Sequence, residues 1–328
     1  MRILITGATG FIGCRLAQRA AAEGFEVVAF GAENTPIERT RKATLESAGV
    51  SVQVGTLSDL ELLRRLVKGC DVVFHLAAAQ HEAGVPDEHF HKVNVHGTRD
   101  LLEICAEARV GRFVYGSTIG VYGSALDGAL DERSPPRPQN IYGVTKLAAE
   151  GLVRAERRMP FSIVRISETY GPGDGRLLKL FKSIDKGLFP LIGGGRNERH
   201  PVHVDDLVDG LLLAATRPEA VGETFVLAGS EVLTTRETAE LVAAALGKPL
   251  RSIRLPLWPF YFAAVVFEKT LPPLGIAPPW HRRRLDFFIK RFYFSLEKAE
   301  RLLGYEPKRR FREGAAETAA WYRAQGYL

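Results

Sequence analysis

Cysteine is scarce in this chain: Cys14, Cys70 and Cys105 are the only three, all in the N-terminal half and without paired spacing. That excludes a disulfide framework and points to reduced core thiols in a cytoplasmic setting. No base beside any of them argues for a nucleophile. Long apolar runs are missing too. The longest, residues 255–267, has 13 residues and is broken by Pro256 and Pro259, too short to span a bilayer. The only apolar run at the start is a strand, so no targeting segment is expected. Five of the eight histidines (His75, His81, His89, His91 and His96) fall within 22 residues, but no Cys or carboxylate spacing of a zinc site accompanies them. No metal is expected.

The net charge is +6, and residues 282–312 alone carry eleven Lys/Arg against four Asp/Glu. A basic face of this kind attracts an anionic substrate or an acidic membrane surface, or is simply solvated. No nucleic-acid module accompanies it, so nucleic acid is not an expected partner. With 328 residues, 46% of them hydrophobic, the chain is long enough for a nucleotide-sized domain and a smaller lobe.

The opening thirteen residues say most. The apolar run Ile3–Ile5 leads directly into Gly7, Gly10 and Gly13. Gly7 permits a tight turn, Gly10 lets a backbone approach a pyrophosphate, and Gly13 lets helix and strand pack closely. The following helix start presents N–H groups and a positive dipole end to phosphates. A structural turn without ligand reads the same way in isolation.

A second motif, Tyr142-Gly-Val-Thr-Lys146, opens a helical pattern after a Pro-rich loop. Residues four apart share a helix face, so phenol and ammonium reach one pocket. A neighbouring cation favours the ionised phenol and brings it towards acid–base chemistry. A helix-start aromatic and a solvated lysine would look alike. Upstream, residues 112–118 read as a strand ending in two hydroxyls, Ser117 and Thr118, where parallel sheets bind ligands.

Strand-like runs at 3–5, 26–30, 50–54, 72–76, 113–116 and 161–166 alternate with amphipathic helices. This implies an α/β fold, a doubly wound parallel sheet. The expected division is a nucleotide domain over 1–170, joined again by 203–230, and a smaller, mostly helical lobe over 171–202 and 231–328. Residues 234–246 read as a capped helix of that lobe.

Together the motifs resemble the extended short-chain dehydrogenase/reductase superfamily, the NAD-dependent epimerase/dehydratase family. The residues that carry the likeness are Thr6–Gly13, Phe74–Ala78, Val93–Glu103, Ser117–Gly123, Tyr142–Lys146, Tyr170–Asp174, His200–Gly210 and Leu303–Pro307. The resemblance implies a Rossmann domain and an enzyme in which Tyr142 is the acid–base and Lys146 lowers its pKa and holds the nicotinamide ribose. It implies that Thr118, with Ser117 as fallback, hydrogen-bonds the reacting oxygen and that Asn94 supports the site. It puts Gly7, Thr9, Gly10, Phe11, Ile12, Gly13, Glu33, Thr56, Leu57, Ala77, Ala78 and Ile166 at the cofactor. Ala79, Ser117, Tyr122, Glu168 and Arg199 fall at the substrate. A homodimer is implied by resemblance alone.

Two departures bear on specificity. Gly31 stands where NAD-dependent relatives often carry aspartate, so Glu33 is the expected ribose ligand. Arg39, Arg41 and Lys42 follow and suit the phosphate of NADP. Thr56 replaces an aspartate that would bind adenine, with Asp59 as substitute. NAD is the expected cofactor, NADP the alternative. At the substrate, nucleotide-sugar enzymes usually carry asparagine where this chain has Glu168, and a carboxylate repels a diphosphate unless a cation intervenes. Arg199, by contrast, matches a diphosphate-binding arginine. The aromatic, apolar runs at 254–264, 271–280 and 290–299 resemble the 3β-hydroxysteroid dehydrogenase, sterol-4-carboxylate dehydrogenase and dihydroflavonol reductase branch. They suit a hydrophobic ring-containing alcohol or ketone, or shallow contact with a membrane; a lobe core or dimer contact would use the same residues. The expected activity is therefore secondary alcohol–ketone interconversion. A nucleotide-sugar 4-epimerase or dehydratase is the alternative, and a non-catalytic dinucleotide sensor the remote one.

Overall fold

The computed structural model describes residues 1–80, 85–124, 128–187, 189–271, 285 and 288–328. His81, most of the 271–280 run and the basic residues at 282–284 lie outside the described residues.

Each expected strand forms, with ends moved by at most two residues. They are β1 (Arg2–Thr6), β2 (Glu26–Gly31), β3 (Val52–Val54), β4 (Val72–His75), β5 (Arg112–Thr118) and β6 (Phe161–Ile166), joined by β7 (Glu223–Leu227). They form one sheet in the order β7-β6-β5-β4-β1-β2-β3, every pair parallel. The order reverses between β1 and β4, which places a crevice at the carboxyl ends of these two strands. Helices α1 (Phe11–Ala22), α2 (Pro36–Ser47), α3 (Leu60–Val67), α4 (Gly97–Glu107) and α5 (Ile141–Ala155) connect the first six strands.

Apolar runs fit this sheet because both of its faces are covered. Ile3, Ile5, Phe74, Val114 and Val164 point to one side, against Leu16 and Ala17 of α1 and against Leu207 and Leu211. Leu4, Val73, Phe113 and Ile163 point to the other, against Leu63, Leu101, Ala149 and Val153 of α3, α4 and α5. All three cysteines are buried and free, and burial pushes each thiol up, so none is poised to react.

After β6 the chain forms α6 (Leu178–Asp185), then returns to the sheet through α7 (Val204–Thr216) and β7. It continues with α8 (Thr235–Leu246), α9 (Leu257–Thr270), α10 (Glu297–Leu303) and α11 (Phe311–Ala324). Phe181 and Ile184 of α6, Ala239 and Val242 of α8, and Phe311 and Tyr322 of α11 form a separate core with Phe189 and Leu191. Helix α8 is delimited at both ends: Thr234 and Glu237 make a reciprocal capping box, and Gly247 closes it in a left-handed turn at φ 71°.

Candidate active site

The glycine turn is packed for contact. Gly7 has φ +75°, and a Cβ there would lie 2.7 Å from the Ala77 backbone nitrogen, so the turn presses on the chain leaving β4. A Cβ on Gly13 would lie 2.2 Å from the Gly7 carbonyl oxygen. Gly10 differs: its Cβ would meet only the Gly7 oxygen, at 3.0 Å, which leaves its other side open. Gly10 also starts α1 with no side-chain cap and no acidic residue in the first turn. The leading N–H groups of Phe11 and Ile12 therefore suit an anion, and the cradle fits a dinucleotide pyrophosphate.

The second strand ends without a carboxylate for a packing reason. A Cβ on Gly31 would fall 2.4 Å from the Thr9 hydroxyl, and Thr9 is buried. Glu33 lies further out, where its carboxylate pairs with Lys42 at 2.9 Å. Arg41 turns inward instead, donating to the Thr9 and Gly173 carbonyls at 3.4 and 2.8 Å. The Asp59 carboxylate accepts from the Thr56 backbone N–H at 2.8 Å, so it closes the loop after β3, and Leu57 is buried beside Gly97.

The opposite wall is built around Asn94. This residue is buried and sits in a turn of π-helix, His91–His96, a geometry often found at functional sites. Its Oδ1 accepts from the Ala79 N–H at 2.8 Å, and its Nδ2 donates to the Ala79 carbonyl at 3.1 Å and to the Thr145 hydroxyl at 3.0 Å. One side chain thus fixes the exit of β4 to the helix that carries Tyr142 and Lys146. His75 braces the same corner, with Nδ1 2.7 Å from the Thr6 hydroxyl and Nε2 2.9 Å from the Thr98 hydroxyl. Burial lowers its pKa to about 3, so it is a neutral structural link.

Helix α5 starts under an Asn140 cap, whose side chain accepts from the Gly143 N–H at 2.8 Å. Tyr142, in its first turn, is half-buried and hydrogen-bonded to Thr118 at the end of β5. Burial pushes its phenol up to about 12, against partial lowering by Arg176 and that hydrogen bond. Lys146, one turn on, is buried with its Nζ 4.1 Å from the centre of the Tyr115 ring. Burial lowers its pKa to about 7, with Glu150 opposing. Arg176 is a cation that lowers the Tyr142 phenol, and Lys146 stands one turn further along the same helix. Arg176 is held by a 2.7 Å bond to the Thr169 carbonyl; nothing in its spacing from Tyr142 foretold this.

Ser117 and Tyr122 are tied into a buried polar network. Ser117 donates to Glu150 at 2.6 Å, Glu150 takes a two-point contact from Arg165 at 3.0 and 2.8 Å, and Arg165 donates to the Tyr122 hydroxyl at 2.7 Å. All four are buried. Thr118 is thus the hydroxyl left beside Tyr142. Glu150 lies four residues after Lys146 on the inward face of α5, the one sequence signal that it belonged here. Burial would push its carboxyl up, but Arg165, Ser117 and Arg154 together hold it below the usual range.

Beyond Ile166, Glu168 and Arg199 form an ion pair, both side chains partly buried. Arg199 is carried on a short strand whose partner is Leu233–Thr234, and the Glu168 carbonyl accepts from the Val202 N–H at 3.0 Å. The two residues expected to pull in opposite directions on a diphosphate are therefore joined to each other. Among the described residues, no group of side chains is arranged to hold a metal ion.

The chain as a whole is similar to known proteins. The chain is 31% identical to a dTDP-glucose 4,6-dehydratase of Streptomyces antibioticus, covering 98% of this chain and 92% of that one. It is 29% identical to a 3-beta-hydroxysteroid dehydrogenase of Mycolicibacterium neoaurum, covering 98% and 91%. In structure it matches a UDP-glucuronic acid 4-epimerase from Bacillus cereus, solved with NAD, at a TM-score of 0.81, 25% identity and full coverage of both chains. The model of the NAD dependent epimerase/dehydratase family matches residues 3–228. With its parallel Rossmann sheet and glycine cradle, this chain belongs to that family, and it is an enzyme of the extended short-chain dehydrogenase/reductase class with NAD as the family's cofactor.

Proposed function

We propose that this enzyme interconverts a secondary alcohol and a ketone on a hydrophobic, ring-containing substrate. The Glu168–Arg199 pair carries the reading. A diphosphate brings about two negative charges and needs net positive charge around it. The pair offers almost none, and separating it exposes Glu168 to the same phosphates. Two like charges about 4 Å apart repel by about 4 kcal/mol near a protein surface. An uncharged substrate meets no such cost.

When bound, the nicotinamide supplies or takes up the hydride at its C4. The residues proposed to handle the proton are those gathered on α5 and β5. In reduction, Tyr142 donates its proton to the carbonyl oxygen while Thr118 holds that oxygen by a hydrogen bond. A phenol held at about 12 is protonated throughout the neutral range, which is the state reduction requires. Lys146, with a pKa near 7, exchanges protons readily at neutral pH, and Asn94 keeps α5 in register with Ala79.

The likeness to dTDP-glucose and UDP-glucuronic acid enzymes favours a second reading, a nucleotide-sugar epimerase or dehydratase. Dehydration needs a further acid–base pair near the substrate. Thr118 is followed by Ile119 and Gly120, which provide none. Calorimetric titration with UDP-glucose, UDP-glucuronate and dTDP-glucose, with and without NAD, separates the readings. The proposal expects no sugar-nucleotide binding, together with net NADH consumption on steroid, terpenoid or flavonoid-like ketones. Micromolar binding of a sugar nucleotide by the wild type overturns it.

A further inference from the structure

Two neighbouring features of the C-terminal half take no part in the chemistry above. One is a cleft of about 570 Å³ lined by Gly193, Gly194 and Gly195 with Arg196, Arg236 and Arg254. Arg236 pairs with Glu240 at 2.9 Å; among the described residues, Arg196 and Arg254 make no ion pair. The other is an apolar hollow of about 720 Å³ lined by Leu257, Trp258, Tyr261, Phe262, Val265 and Ile289. The cleft ends at Leu255 and Pro256 and the hollow begins at Leu257; a Cβ on Gly193 would lie 3.8 Å from the Leu257 Cβ. They form one continuous surface.

Its apolar part is costly to leave in water. Trp258 is 73% exposed and Phe262 67%, and of the fourteen residues of α9 only Ala264 is buried. A contiguous exposed aromatic patch marks a docking surface. No helix among the described residues is long and apolar enough to cross a membrane, so α9 can lie in an interface but not span it. Trp and Tyr are the side chains that sit well where apolar and wet phases meet.

We propose that this surface docks on an anionic phospholipid bilayer, with Trp258, Tyr261 and Phe262 entering the headgroup–acyl boundary and Arg196 and Arg254 meeting lipid phosphates. Charge selects this occupant over a second copy of the chain. An isologous contact would set this arginine-bearing surface against an equally positive copy of itself. A phosphate-bearing surface matches the arginines.

The test is flotation of the full-length protein with vesicles of phosphatidylcholine alone and of phosphatidylcholine with phosphatidylserine in equal parts, at low and high salt. Binding is expected only with phosphatidylserine and is expected to weaken as salt rises. Each arginine near such a surface contributes roughly fivefold in partitioning, so Arg196→Gln with Arg254→Gln lowers it roughly 25-fold. Trp258→Ala with Phe262→Ala abolishes flotation even at low salt, and NAD binding by both double variants reports that the fold is intact. No binding to either vesicle overturns the proposal, and so does equal binding to both. Conversion of a dimer to a monomer by the Trp258/Phe262 variant, without lipid binding by the wild type, assigns the patch to a second copy instead.

Discussion

Replacing Glu150 with glutamine removes one charge and little volume from the middle of the buried network beneath the candidate active site. The variant keeps an acceptor for the Ser117 hydroxyl but leaves the Arg165 guanidinium, 2% exposed, with only the Tyr122 hydroxyl and the Glu132 carbonyl as its other partners. Removing one partner of a buried ion pair costs roughly 3–5 kcal/mol because the other charge stays desolvated. The 2.8 Å contact from Arg154 is also lost, but that side chain is 40% exposed and keeps its bond to the Thr224 hydroxyl, so it adds less. A chain of 328 residues unfolds with an entropy on the order of 0.7 kcal/mol/K, so the expected fall in Tm is about 4–7 °C by scanning calorimetry. The pH dependence has a definite sign. The folded-state pKa of Glu150 lies below its unfolded value, so its contribution is present above the unfolded carboxylate pKa and is lost as pH falls through the folded one. The deficit of the glutamine variant therefore shrinks in acid. A companion variant, Glu150→Leu with Arg165→Met, removes both charges and should recover most of the loss. An unchanged Tm for Glu150→Gln, or a companion variant whose loss equals the sum of the two single replacements, refutes the account of this network as a coupled buried pair.

The proton-transfer role assigned to Tyr142 predicts that Tyr142→Phe lowers turnover by roughly 10²–10⁴-fold with NAD affinity retained; turnover at the wild-type level removes that role. Lys146 has its folded pKa lowered to about 7, so the unfolded chain binds the extra proton between about pH 7 and its ordinary value. Stability should rise with pH across that window, and the rise should vanish in Lys146→Met, as followed by denaturant unfolding at several pH values. Glu33→Ala frees Lys42 and takes a negative charge from the cofactor edge, so NAD binding should weaken more than NADP binding; equal effects by calorimetry dismiss Glu33 as a ribose ligand.

The sheet was legible because it is a local matter. Its inner strands are short apolar runs buried on both faces, and residues such as Ile3, Leu4 and Ile5 have no stable exposed alternative. The glycine turn was legible because the contacts of Gly7 and Gly13 with backbone leave no choice of residue. The candidate site was less so. Tyr142, Lys146, Thr118 and Asn94 do meet around one corner, but which partner each side chain takes depends on contacts far apart in sequence. Ser117 and Thr118 face opposite sides of β5, and the buried Glu150 that takes up Ser117 lies 33 residues further along the chain. The neutralising contact between Glu168 and Arg199 joins residues on separate strands, so their charges were readable but their pairing was not. The π-turn at His91–His96 has no residue pattern that distinguishes it from ordinary helix, although it determines where Asn94 points.

Strand β6 is covered along one edge by β5 and along the other only by β7, which arrives after α6 and the first part of the lobe have been made. During synthesis the outer edge of Phe161–Ile166 must therefore wait, apolar and unpaired, for Glu223–Leu227 to appear. An unpaired edge of that kind invites strands from other chains. A fragment ending near residue 170 would keep the glycine cradle and Tyr142 yet tend to aggregate, whereas a cut placed after β7 would close the sheet. A cut that leaves the seven-stranded sheet complete thus falls only after residue 227, well past the middle of the chain.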